Sequence, residues 1–121
     1  MKNIICIFLV LSLSISACKK DNSSPNINVS DSISITTPGM YFEPSLLTCN
    51  LGDTIIFNLG SSHNAIEVSE ENYNNNNASL IDNGFVFSFG ETGYFIPNES
   101  KTYYYVCSPH LPDMKGIIIV Q

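Results

Sequence analysis

A chain of 121 residues can enclose one small hydrophobic core but not two. Its eleven acidic residues outnumber five lysines, there is no arginine, and the net charge is −6. That balance excludes the Lys- and Arg-rich surface that nucleic-acid phosphates require, so no nucleic acid is expected among the partners.

The chain opens with Lys2 and the apolar run Ile4–Leu11, which is too short to span a bilayer and ends in small residues. Residues 1–17 therefore read as a secretory signal. Ile15-Ser16-Ala17-Cys18 resembles a bacterial lipobox, in which Cys18 takes the lipid and becomes the mature N-terminus. The expected location is the bacterial cell envelope, exported and lipid-anchored, on the periplasmic side or the outer surface. Residues 18–28 are polar, contain Pro25 and lack apolar periodicity, so they form a flexible tether reaching roughly 30 Å from the membrane.

The folded domain is expected over residues 29–121. Ile27, Val29, Ile33 and Ile35 alternate with polar residues, the period of a half-buried strand, and Thr37-Pro38-Gly39 reads as a turn. Leu47–Leu51 and Thr54–Leu59 make two more strands around Gly52-Asp53. In the first, Cys49 shares the core-facing side with Leu47 and Leu51. His63–Val68 is a short strand with His63 at its entrance. Ser69-Glu70-Glu71 can cap a single helical turn inside a loop that runs to Gly84. Glu67, Glu70, Glu71 and Asp82 read as a solvated acidic face, with an acidic docking surface as the alternative. Phe85–Phe89, Thr92–Ile96, Thr102–Cys107 and Gly116–Val120 complete the strands. In Thr102–Cys107, alternation sets Tyr103, Tyr105 and Cys107 on one face and Tyr104 and Val106 on the other. The pattern predicts an all-β antiparallel sandwich of seven or eight strands.

The chemistry concentrates in Cys107-Ser108-Pro109-His110-Leu111-Pro112-Asp113-Met114, a loop between two strands. A thiol, an imidazole and a thioether within eight residues are soft and borderline ligands that suit copper. A one-electron copper site takes a thiolate and two imidazoles in a plane with a weak axial thioether. His63, Cys107, His110 and Met114 supply that set and use both histidines of the chain. Cys6 leaves with the signal and Cys18 takes lipid, so Cys49 and Cys107 remain. Two cysteines outside the cytosol would ordinarily be read as a Cys49–Cys107 disulfide. That bond would consume the thiolate and leave both histidines and Met114 idle, so Cys49 reads as a free core residue. A zinc site of Cys49, Cys107, His63 and His110 has the right atoms without the spacing of a zinc module. No Ser/His/Asp set or glycine-rich phosphate loop is present, and two histidines are too few for a multicopper oxidase, so an enzyme is not expected.

Taken together, Phe42-Glu43-Pro44, Leu47–Thr54, His63-Asn64 and Tyr103–His110 resemble the plastocyanin/azurin family of blue copper proteins, the cupredoxins, over Ile33–Gln121. The His63–Val68 run followed by Tyr73 is also similar to the phytocyanin branch. The resemblance implies a Greek-key sandwich holding one type 1 copper ion on His63, Cys107, His110 and Met114, with electron transfer as the activity. It implies that Asn64 and Ser108 steady the ligands. It also implies that Pro109, Leu111 and Pro112 form an apolar electron port around His110. Redox proteins such as c-type cytochromes or a terminal reductase or oxidase are the partners it implies. A periplasmic copper carrier or chaperone would use the same ligands. The segment between His110 and Met114 is shorter than in plastocyanin-like loops and longer than in amicyanin-like ones. Cys49 stands where relatives have an aliphatic residue.

Overall fold

A computed structural model describes residues 33–121; the signal, Cys18, the tether and the expected strand start at Ile27 and Val29 lie outside the described residues. Nine strands follow in order: β1 (Ile33–Gly39), β2 (Tyr41–Glu43), β3 (Leu46–Cys49), β4 (Ile55–Asn58), β5 (Ala65–Val68), β6 (Val86–Phe87), β7 (Thr92–Phe95), β8 (Thr102–Val106) and β9 (Lys115–Val120). One short helix, α1 (Glu70–Asn74), sits between β5 and β6. The strands form two sheets, ordered β2-β1-β4-β7 and β3-β9-β8-β5-β6. This is the expected all-β sandwich.

The pairing is mixed rather than wholly antiparallel. β1 runs parallel to β4, from Ile33↔Ile55 to Thr36↔Asn58, and β3 runs parallel to β9, from Leu46↔Ile117 to Cys49↔Val120. The cause is topological. After β2 the chain crosses to the other sheet to form β3, then returns to lay β4 beside β1 in the same direction. Side-chain alternation decides which face a residue takes, but it carries no information about a neighbour's direction.

Thr37-Pro38-Gly39 is the end of β1 and not a turn. The register with β2 shifts between Thr36 and Gly39, so Pro38, which has no N–H to give, falls at the irregularity. Leu51 turns outward, because Asn50–Asp53 is a tight turn in which the Asp53 carboxylate accepts the Asn50 N–H at 2.8 Å. Phe89 is exposed as well, since the strand it was expected to extend stops at Phe87, ahead of the turn at Gly90.

The core between the sheets is aromatic. Phe57 stacks on Phe87 at 4.7 Å, while Tyr105 meets Phe42 edge-on at 4.7 Å and Phe57 at 5.3 Å. Each such pair contributes about 0.5–1.5 kcal/mol beyond the area it buries. Tyr105 lies across its β9 partner Gly116, where a Cβ would come within 2.2 Å of the phenol ring. Only glycine leaves room for it. Glu67, expected on the solvated acidic face, is buried, because it shares the inward side of β5 with Ala65. Its carboxylate accepts the Phe85 N–H at 3.0 Å.

Ser69 caps α1 as expected, its Oγ accepting the Asn72 N–H at 3.1 Å. The helix is fixed to the outside of the sheet by Tyr73, which packs on Tyr104 at 5.1 Å. Lys115 Nζ stands 4.4 Å above the Tyr73 ring and donates to the Tyr73 carbonyl at 2.9 Å. Val68 and Val106 are buried although they face away from the core.

Candidate metal centre

The loop between β8 and β9 is set by the strands it joins. Val106 pairs with Lys115, so residues 107–114 must leave and return within one strand spacing. Cys107 N–H donates to the Met114 carbonyl at 3.0 Å and closes the base of the loop. Ser108–His110 form a short 3-10 turn with Pro109 at its start, where the missing N–H costs nothing. The His110 carbonyl then accepts the Asp113 N–H at 3.1 Å and the Met114 N–H at 3.0 Å. The three residues between His110 and Met114 thus fold back in a tight, non-helical turn, with Leu111 extended, closed on the His110 carbonyl. Met114 is delivered into the core with no exposed surface.

His63 reaches the same place from the connection between β4 and β5, the strand that pairs with β8. It ends a turn in which its N–H donates to the Gly60 carbonyl at 3.0 Å, and Gly60 N–H donates to Thr37 Oγ1 at 2.8 Å. Gly90 N–H donates to the Gly60 carbonyl at 3.1 Å and the His63 carbonyl at 3.2 Å. Gly90 has φ +70°, and a Cβ there would stand 3.2 Å from Ser61 Cα. Thr37, Gly60 and Gly90 therefore hold the histidine turn. Sequence reasoning missed them, since no local pattern links residues 23 positions apart.

Asn64 ties this turn to the loop. Its Nδ2 donates to Ser108 Oγ at 2.9 Å, and its Oδ1 accepts the Ser108 N–H at 2.9 Å. With the two segments locked, the ligating atoms of His63, Cys107 and His110 all lie within 4.8 Å of one another. His63 Nδ1 is 3.2 Å from His110 Nδ1, and Cys107 Sγ is 3.9 Å and 3.3 Å from those two nitrogens. Bonds of about 2.0 Å to nitrogen and about 2.3 Å to thiolate sulfur, arranged trigonally, give N–N and N–S edges of about 3.5 and about 3.7 Å. The observed triangle agrees with that to within half an ångström, so these donors fit a single thiophilic ion.

The electrostatics suit a cation. Burial pushes the Cys107 thiol up, with the backbone N–H groups of Asn64 and His110 pulling it down. Burial lowers His63, and His110 lowers it further. A neutral imidazole is a ready ligand, and a thiolate in such a place needs a positive partner. Cys107 is fully enclosed and His63 nearly so, whereas His110 is half-buried with its Nδ1 turned inward. Around it Pro109 and Pro112 are exposed and Leu111 is half-buried.

Cys49 is a free, buried cysteine in β3, and Cys107 is free as well. No Cys49–Cys107 disulfide forms. Cys49 is also absent from the metal-ligating group found among the described residues, which rules out the four-residue zinc site. Its neighbours are core side chains, and it serves as a small hydrophobe.

Comparison with known proteins bears on the same residues. A family profile described as copper binding proteins, plastocyanin/azurin family, matches residues 29–121. No curated protein matches the sequence. Among solved structures, a reduced amicyanin variant aligns with TM-score 0.56 at 22% identity, covering 75% of this chain and 83% of its own. Pseudoazurin from Methylobacterium extorquens AM1 aligns with TM-score 0.58 at 22% identity, covering 74% and 75% respectively. A copper-containing nitrite reductase from Thermus scotoductus SA-01 aligns with TM-score 0.57 at 24% identity, this chain matching 22% of its length.

Proposed function

Because the chain belongs to the plastocyanin/azurin family of copper-binding proteins, we propose that it carries single electrons at one type 1 copper held by His63, Cys107 and His110, with Met114 as the weak axial ligand. The observation that carries this reading is the convergence of one sulfur and two imidazole nitrogens within 4.8 Å, drawn from two segments locked by Asn64 and Ser108. Copper, when bound, supplies a one-electron Cu(II)/Cu(I) couple.

The chain's own residues do the rest. Two strand-anchored segments fix the donor positions, so little rearrangement accompanies a change of charge at the centre. The hydrogen bonds from Asn64 to Ser108 keep the loop from relaxing around either state. Enclosure of Cys107 and His63 excludes water and leaves no open path for a substrate, which supports a carrier over an enzyme. His110 is the half-buried member of the triad, and Pro109, Leu111 and Pro112 give it an apolar surround through which an electron can pass to a docked protein. The partners proposed are redox proteins such as c-type cytochromes or a terminal reductase or oxidase. The proposed location is the bacterial cell envelope, with Cys18 lipidated and residues 19–28 as the tether. Mass measurement of the mature N-terminus tests the anchor.

A carrier that gives copper up needs ligands an acceptor can reach, and the enclosed thiol disfavours that reading. Titrating the purified chain with Cu(II) tests the proposal. An intense visible thiolate-to-copper band is expected, absent in Cys107→Ser. A colourless protein that takes up stoichiometric zinc overturns it, and rapid transfer of Cu(I) to an acceptor favours delivery instead.

A further inference from the structure

Four residues back along β8 from Cys107, the sheets part around a cavity of about 410 Å³. Its inner wall is Glu67, Phe85, Phe95 and Tyr103, and Asp82, Glu99 and Lys101 stand among the remaining lining. The copper reading leaves this site unused. Glu67 is only 4% exposed, an unusual place for a carboxylate that forms no salt bridge among the described residues, nearby Lys101 pairing with Glu99 instead. The one hydrogen bond its carboxylate accepts among the described residues comes from the Phe85 N–H at 3.0 Å. Its other oxygen is not a sealed atom without a partner, a state found only at the Tyr105 hydroxyl among the described residues, and Glu67 lines the cavity, so this oxygen opens to it.

The rest of the wall is aromatic. Phe85 and Phe95 have ring centroids 4.7 Å apart, and Phe95 meets Tyr103 edge-on at 5.0 Å. The protein already uses this wall to hold a cation, because Lys101 Nζ stands 4.6 Å over the Tyr103 ring and pairs with Glu99 at 3.5 Å. Three carboxylates against one ammonium leave the lining negative. Hard metal ions demand six or more oxygens, and no acidic metal-ligating group occurs there among the described residues. A single carboxylate framed by aromatic rings instead matches an organic cation, whose charge it neutralises and whose apolar body the rings cover.

We propose that this cavity binds a small organic ammonium ion, its nitrogen on Glu67 and its apolar part against Phe85, Phe95 and Tyr103. Benzylammonium is a suitable probe, with uncharged benzyl alcohol as its match. Two-dimensional amide spectra of isotope-labelled protein should show saturable shifts at Gly84, Phe85 and Phe95 on adding benzylammonium. Binding should be about tenfold or more tighter than for benzyl alcohol, and Glu67→Gln should remove that preference. No saturable shift at these amides, equal affinity for the alcohol, or unchanged binding in Glu67→Gln overturns the proposal. Should Glu67→Gln not fold, Phe95→Leu removes one ring from the wall and must weaken binding; unchanged affinity there overturns it equally.

Discussion

Asn64 grips Ser108 at two atoms, donating to its hydroxyl and accepting its backbone N–H, each at 2.9 Å. These bonds join the His63 turn to the Cys107 loop across 44 residues of sequence. Asn64→Ala leaves the Ser108 N–H without its partner and should lower stability by about 2 kcal/mol. Ser108→Ala keeps that backbone bond and should cost about 1 kcal/mol. Unfolding titrations of the two variants decide the order. The reduction potential should also move in Asn64→Ala, since the loop is then free to relax around the metal.

Cys49 and Cys107, both free, should behave oppositely. Cys107→Ser should abolish the visible thiolate band and leave the far-ultraviolet spectrum of a β-protein intact. Cys49→Ser should keep the band, because Cys49 lies outside the ligating group. It should still lose about 1–3 kcal/mol of stability by burying a hydroxyl among apolar neighbours. Visible spectra and thermal unfolding of both variants check the pair. A colourless Cys49→Ser protein would contradict the assignment.

Tyr105 and Gly116 form a complementary pair in which the large partner hides an unsatisfied group. The Tyr105 hydroxyl has no hydrogen-bond partner among the described residues, and burial holds its ionisation far above the ordinary tyrosine range. Tyr105→Phe removes that group without changing the ring, and should be neutral or stabilising by about 1 kcal/mol. Gly116→Ala forces a methyl into the ring and should destabilise by about 1–3 kcal/mol. Combining Gly116→Ala with Tyr105→Leu should cost less than the sum of the separate changes. Denaturant midpoints for the four proteins settle it.

Residue chemistry made the centre readable ahead of the fold. His63, Cys107 and His110 are the chain's two histidines and a loop cysteine, and the hairpin between β8 and β9 leaves the loop little choice of geometry. Alternation placed Tyr103, Tyr105 and Cys107 inside, as observed. Where it failed, a longer-range constraint decided. β2 is three residues long, too short to show any period, and exists because Phe42 packs on Tyr105. Glu67 reads as a surface charge until β6 and the Phe85 amide close over it. The parallel pairs of β1 with β4 and β3 with β9 depend on where the chain crosses between sheets, which no local pattern encodes.

Glu67 should leave a signature in the pH dependence of stability. Burial raises its carboxyl above the ordinary value of 4.5, with the Phe85 N–H and Lys101 pulling it back and Glu99 adding to the rise. As pH climbs from the ordinary value, the unfolded chain releases this proton first, so stability falls until the folded carboxyl has ionised too. The cost is absent below the ordinary value and complete above the raised one. Glu67→Gln cannot ionise. Its stability relative to the parent should therefore increase with pH through that window and then level off. Urea denaturation of both proteins at a series of pH values measures the difference; a flat difference contradicts the burial argument.

Met114 answers to two demands, the core and the metal, and the two can be separated. It has no exposed surface, and backbone bonds to His110 and Cys107, both at 3.0 Å, fix where its Cα returns. Met114→Leu conserves volume and should cost less than about 1.5 kcal/mol, whereas Met114→Ala opens a cavity and should cost about 2–5 kcal/mol. The visible band depends on Cys107 and should persist in Met114→Leu. Its reduction potential should rise, because the loss of a sulfur donor and a less polar surround both favour the ion of lower charge. Voltammetry of Met114→Leu beside the parent reads this directly. An unchanged potential with an unchanged spectrum would assign Met114 to the core alone and leave the copper with three protein ligands.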